Sequence, residues 1–142
     1  MGYYMTQHEA DFYIDSRDFP DMIKAIHELV NHPEKMGGSS FNGNLDKRHY
    51  SWVDMSFVNT SDVKKIFNCW RWSITQDKHG NIIDIIFEGE KLGDDFYLFQ
   101  AIAPFVTQDS FIEMHGEDNQ MWRWKFINGK CEEITPTISW ED

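Results

Sequence analysis

The sequence predicts an α+β fold: a mainly antiparallel sheet with a C-terminal three-stranded meander, and about three helices packed on it. Apolar residues recur at helical spacing in separate segments, each set between stretches that alternate apolar with polar residues. Asn128-Gly129, flanked by such alternation, is the strongest short signal for a β-hairpin. Strands joined through tight turns pair antiparallel, and the helices between them collect on one side.

Residues 3–14 mix Tyr and Phe with polar positions and read as a strand, closed by Asp15 and Ser16. Asp18 or Ser16 is placed to cap a helix, with Pro20 and Asp21 in its first turn. Ile23, Ile26, His27 and Val30 share one face of that helix. His32-Pro33 ends it, because the residue before a proline resists helical backbone. Residues 32–48 then lose all periodicity. The run Gly37-Gly38-Ser39-Ser40-Phe41-Asn42-Gly43-Asn44 is turn-forming around one aromatic, so a mobile Gly/Asn/Ser-rich loop is predicted at about 32–48.

Residues 49–53 read as a short strand. Thr60, Ser61 and Asp62 open a helix whose apolar side is Val63, Ile66, Phe67 and Trp70. Two strands, 72–76 and 82–87, flank the turn Asp77-Lys78-His79-Gly80-Asn81. Asp94 or Gly93 caps a third helix carrying Phe96, Phe99 and Ile102, stopped near Pro104. Strands 111–115, 121–127 and 131–135 complete the meander.

The register of the meander follows from its side chains. A two-residue loop at Asp118-Asn119 would set Glu113 opposite Trp124 and Met114 opposite Arg123. A three-residue loop, Glu117-Asp118-Asn119, instead opposes Met114 to Trp122, Ile112 to Trp124 and Glu113 to Arg123. The second gathers the large apolar groups on one face, leaves an opposite-charge pair on the other and puts Asn119 at the left-handed position. It is the register expected. Asn128-Gly129 then pairs Phe126 with Cys131, Lys125 with Glu132 and Trp124 with Glu133. Glu113, Arg123, Lys125 and Glu132 become a charged, solvated outer face. Glu133, on the same face as Trp122 and Trp124, is expected at a fraying edge.

One α+β domain over residues 1–142 suits a chain of 142 residues. Its 11 Phe, 6 Trp and 5 Tyr exclude a disordered chain. A formal charge of −11 disfavours direct binding to nucleic acid and to an anionic membrane. The start lacks the charged and apolar regions of a signal peptide, and Cys69 and Cys131 stand alone, so a cytoplasmic protein with reduced thiols is expected.

Few residues suggest chemistry. The six histidines show no metal-ligand spacing: His27 and His32 share no helix face, and His8-x-x-Asp11 and His115-x-Glu117 match no motif. No metal, cofactor or catalytic residue is assigned on this basis. Cys69, beside Trp70, and Cys131, opposite Phe126, read as structural. The acids Glu88, Glu90, Asp94 and Asp95 cluster around Gly89 and Gly93, with Glu117 and Asp118 as a second cluster at a turn. Such acids can serve acid/base work or hold a hard cation, but no EF-hand spacing is present.

Two segments taken together carry a resemblance. Phe87-x-Gly89-Glu90-Lys91-Leu92-Gly93-Asp94 with Ile102-Ala103-Pro104, and Ile112-Glu113-x-x-Gly116-Glu117-Asp118 followed by Trp122-Arg123-Trp124-x-Phe126, resemble small α+β proteins of bacteria and their phages. The resemblance runs from Ser51 onward. It implies a bacterial or phage origin and says nothing about activity.

The function expected is therefore a non-enzymatic acidic binding protein that covers a basic protein surface, of phage-inhibitor or immunity type. Glu88, Glu90, Asp94, Asp95, Glu117 and Asp118 are the contacts expected. A nucleotide or sugar binder is the alternative, with Lys35, Phe41, Lys47, Arg48 and His49 lining an aromatic cleft under the 32–48 loop. A metal-assisted hydrolase using the 88–95 acids stands third.

Overall fold

The computed structural model describes residues 2–39 and 48–136. The central part of the predicted loop, with Phe41 and Lys47, lies outside the described residues. Strand β1 (Met5–Asp11) is followed by helix α1 (Phe19–Glu28), the short strands β2 (Gly38–Ser39) and β3 (Arg48–His49), and helix α2 (Val63–Cys69). Strands β4 (Trp72–Gln76) and β5 (Ile82–Phe87), helix α3 (Asp95–Ile102) and strands β6 (Phe111–Gly116), β7 (Met121–Ile127) and β8 (Lys130–Ile134) complete the chain. This is the α+β arrangement expected, with antiparallel pairing in every ladder described. No helix among the described residues is long and apolar enough to cross a membrane.

The main sheet has the order β1-β6-β7-β8, and β4 with β5 forms a separate hairpin. The meander pairs Met114 with Trp122, Ile112 with Trp124, Glu113 with Arg123 and Phe126 with Cys131, which is the three-residue-loop register. Asn119 is left-handed at φ 64°, and the β7–β8 turn has φ 53° at Asn128 and 74° at Gly129. Positive φ at both turn residues matches the right-handed twist of the strands.

The inner face of the sheet meets α3 and the β4–β5 hairpin in an aromatic cluster. Phe99 lies 5.0 Å from Trp124 and 5.1 Å from Trp72, centroid to centroid. Phe12 reaches Phe126 at 5.6 Å. All are buried, as are Ile112, Met114 and Trp122. Burial of so many rings supplies most of the drive to fold.

Local details differ from the sequence reading. In α1 the buried residues are Met22 and Ile26, continued by Leu29 in the 3₁₀ turn that follows, whereas Val30 is exposed. Asp18 stands at the N-cap of α1 without a side-chain bond, and the side-chain cap is made one turn earlier by Asp15, which accepts from Arg17 N–H at the 3₁₀ turn Ser16–Asp18. The strand expected at 49–53 shrinks to β3, because Tyr50 turns inward and donates its hydroxyl to the Leu29 carbonyl at 2.7 Å. Asp62 does cap α2, accepting from Lys64 N–H and Lys65 N–H.

Candidate functional site

The N-terminal residues bring the two acidic clusters to one edge. Met5 N–H donates to the Glu90 carbonyl at 3.0 Å, and Leu92 N–H donates to the Tyr3 carbonyl at 2.7 Å. From the other side Glu117 N–H donates to the Tyr4 carbonyl at 3.0 Å. Glu90 and Glu117 therefore flank one short stretch of chain, although 27 positions separate them in sequence. Glu88, Glu90, Glu117 and Asp118 are exposed. Asp118 accepts from the Tyr3 hydroxyl, which holds its carboxyl low and pushes the Tyr3 phenol up to about 12.

Between these acids stand two exposed aromatics. Tyr4 and Trp52 are 49% and 51% exposed, and the Lys91 ammonium lies 5.2 Å from each ring. Trp52 has a left-handed backbone, φ 64°, which a bulky residue adopts only when its surroundings force it. The forcing is visible. Ser51 N–H donates to the Asp94 carboxylate at 2.7 Å, and a Cβ on Gly93 would come within 2.4 Å of the Ser51 carbonyl oxygen. Only glycine lets the two segments approach so closely.

Two of the expected contact acids are fasteners instead. Asp95 is 1% exposed. It accepts from Arg71 Nη2 at 3.0 Å, from the Trp72 indole at 2.9 Å and from Gly93 N–H at 2.9 Å. Burial pushes its carboxyl above the ordinary value, against the pull of Arg71, the indole and the amide. Asp94 does not cap α3 with its side chain; its carboxylate takes the amides of Gly37, at 2.8 Å, and Ser51. Asp95 is thus removed from the contact set, and Asp94 is engaged in holding the flanks of segment 40–47. The hydrolase reading loses these two acids with them.

Arg71 carries the fastening further. Its Nη1 donates to the Lys91 carbonyl at 2.6 Å, and its own carbonyl accepts from Glu88 N–H at 2.9 Å. The loop bearing Glu88 and Glu90 is therefore tied down on a buried ion pair. Of the residues expected to line a ligand cleft, Lys35 lies 5.7 Å over the Tyr97 ring, Arg48 is exposed, and His49 is half-buried against the Tyr50 carbonyl. Cys69 and Cys131 are held as thiols by burial, Cys131 up to about 12, so neither is an activated nucleophile. Glu133 is exposed and accepts from the Trp124 indole at 3.1 Å.

The outer face of the main sheet holds what the sequence reading missed. Glu113 is not solvated but 7% exposed. Its Oε1 accepts from Arg123 Nε at 2.8 Å, and its Oε2 meets His8 Nδ1. These bonds, that to His8 foremost, hold its carboxyl below the ordinary range. The His8 and His115 rings lie 4.8 Å apart. Thr6 pairs with His115 and Glu9 with Glu113, so His8 is the extra residue of a β-bulge. Thr6 and His8 take the same face of β1, so His8 stands on the face that Glu113 and His115 share. No spacing in the sequence announces this; the only signal was the pair of histidines on two strands whose pairing was unknown. Comparison of the chain with protein-family models, with curated proteins and with solved structures finds no match to any of them.

Proposed function

We propose that the protein is a non-enzymatic binding protein that covers a basic protein surface with the edge built around Tyr3 and Tyr4. The observation that supports this most is the convergence of Glu88, Glu90, Glu117 and Asp118 around the exposed Tyr4 and Trp52. Aromatic anchors ringed by charge are the pattern of interfaces in which the rings supply affinity and the charges speed encounter. The −11 charge extends the attraction beyond the edge itself. An inhibitor or immunity-type role fits, in which the protein occupies the nucleic-acid site of a basic partner.

The test uses a partner captured with the parent protein, followed by association rates against ionic strength. Joint Glu88→Gln, Glu90→Gln and Glu117→Gln substitution is expected to slow association by about tenfold or more and to flatten its salt dependence. Melting should hardly change, since exposed charges contribute little to stability. Trp52→Ala is expected to act mainly on dissociation. A partner that binds the neutralised variant as fast as the parent overturns the reading.

A further inference from the structure

The outer face of the main sheet bears a cluster that the binding reading does not use. We propose that His8, Glu113 and His115 bind one divalent first-row transition-metal ion of the zinc class. Among the described residues they form the one group of at least three metal-ligating side chains whose donor atoms all lie within 4.8 Å of one another.

An ordinary hydrogen-bonded network accounts for only part of this arrangement. Arg123 already balances the Glu113 charge, and His8 already contacts its second oxygen. His115 is left over. Its Nε2 is buried and has no hydrogen-bond partner. Buried polar atoms are nearly always satisfied, so an unpartnered imidazole nitrogen beside a carboxylate and a second imidazole calls for a ligand. The pairing of β1 with β6 supports the same conclusion. His8 takes the same face of β1 as Thr6, which pairs with His115, so the β1–β6 pairing sets it beside both Glu113 and His115.

The donor set selects the ion. Two nitrogens and one carboxylate suit Zn²⁺, Co²⁺ or Ni²⁺, whereas Mg²⁺ and Ca²⁺ prefer oxygen throughout. Tetrahedral donors at metal bonds of about 2.1 Å stand about 3.4 Å apart. The longest separation, within 4.8 Å, needs to close by about 1.4 Å at most, whereas His8 and Glu113, now in direct contact, need to part to admit the ion. Arg123 on Oε1 leaves Oε2 toward the ion and fixes the carboxylate plane, as outer-shell partners do. Phe111 supports that guanidinium from 4.3 Å. The His8 side chain is 54% exposed, so a fourth position stays open to water or to a ligand.

The experiment is titration of chelator-treated, full-length protein with Co²⁺, read by its visible ligand-field bands, followed by displacement with Zn²⁺. One ion per chain is expected, with bands of a four- or five-coordinate nitrogen/oxygen site that Zn²⁺ abolishes. His8→Ala and His115→Ala should each weaken Zn²⁺ binding at least about tenfold, while His79→Ala, on an exposed turn, should leave it unchanged. His8 is exposed enough for its variant to fold, which thermal melting verifies, so the test survives if His115→Ala does not. Absence of the bands at one equivalent overturns the proposal. So does a His8→Ala variant that binds as tightly as the parent.

Discussion

Asp94 and Asp95 are neighbours in the chain with unrelated partners. Asp94 takes two backbone amides across a loop, and Asp95 pairs with a guanidinium in the interior. Removing Asp95 strands Arg71, whose side chain is only 17% exposed, and orphans the Trp72 indole. Asp95→Ala is therefore expected to cost about 3–5 kcal/mol in denaturant unfolding, the range for breaking one side of a buried ion pair. Asp95→Asn keeps the shape and an acceptor and should cost less. A loss under 1 kcal/mol for the alanine variant, on the order of an exposed pair, would show that Arg71 finds water instead.

At the level of elements, the β7–β8 turn constrains Gly129 through its backbone rather than through contacts around that position. Gly129 has φ 74°, and a Cβ there would meet nothing nearer than Pro104 Cα at 3.9 Å. The position has room but the wrong backbone for an L side chain. Gly129→Ala is expected to cost about 1–2 kcal/mol through backbone strain alone. Gly129→Asn should cost less, since Asn tolerates the left-handed region. Denaturant midpoints of the two variants give the comparison; equal losses would mean that packing decides. The β1 bulge is the opposite kind of device: its extra residue reverses the alternation after His8, so that Glu9 also faces outward and Ala10 packs on the core.

In the whole molecule, one side chain joins the main sheet to the β4–β5 hairpin. The Gln7 amide donates to the Ile85 carbonyl at 2.9 Å, and its oxygen accepts from Phe87 N–H at 2.7 Å. It substitutes for a strand ladder where β1 and β5 run side by side. Gln7→Leu leaves a carbonyl and an N–H without partners, at about 1–3 kcal/mol for each buried group. A total loss of at least about 2 kcal/mol is expected, with faster hydrogen exchange at Phe87. Exchange at Phe87 unchanged from the parent would mean that packing alone holds the two sheets.

The main helices and strands and the register of the meander were legible from local pattern alone. Periodicity and turn chemistry are local, and a slip of one residue would have turned Trp122, Trp124 and Phe126 to water. The same locality explains what it left undecided. Which acids stay at the surface depended on Arg71, 24 positions from Asp95, and no pattern in the loop separated Asp95 from Glu90. Likewise His8 and Glu113, 105 positions apart, meet only because β1 returns to pair with β6. Alternation says which face a side chain takes within its strand, not which strand lies beside it. That choice belongs to the tertiary structure, where burial of the aromatic core sets the strand order and the order assembles both surfaces.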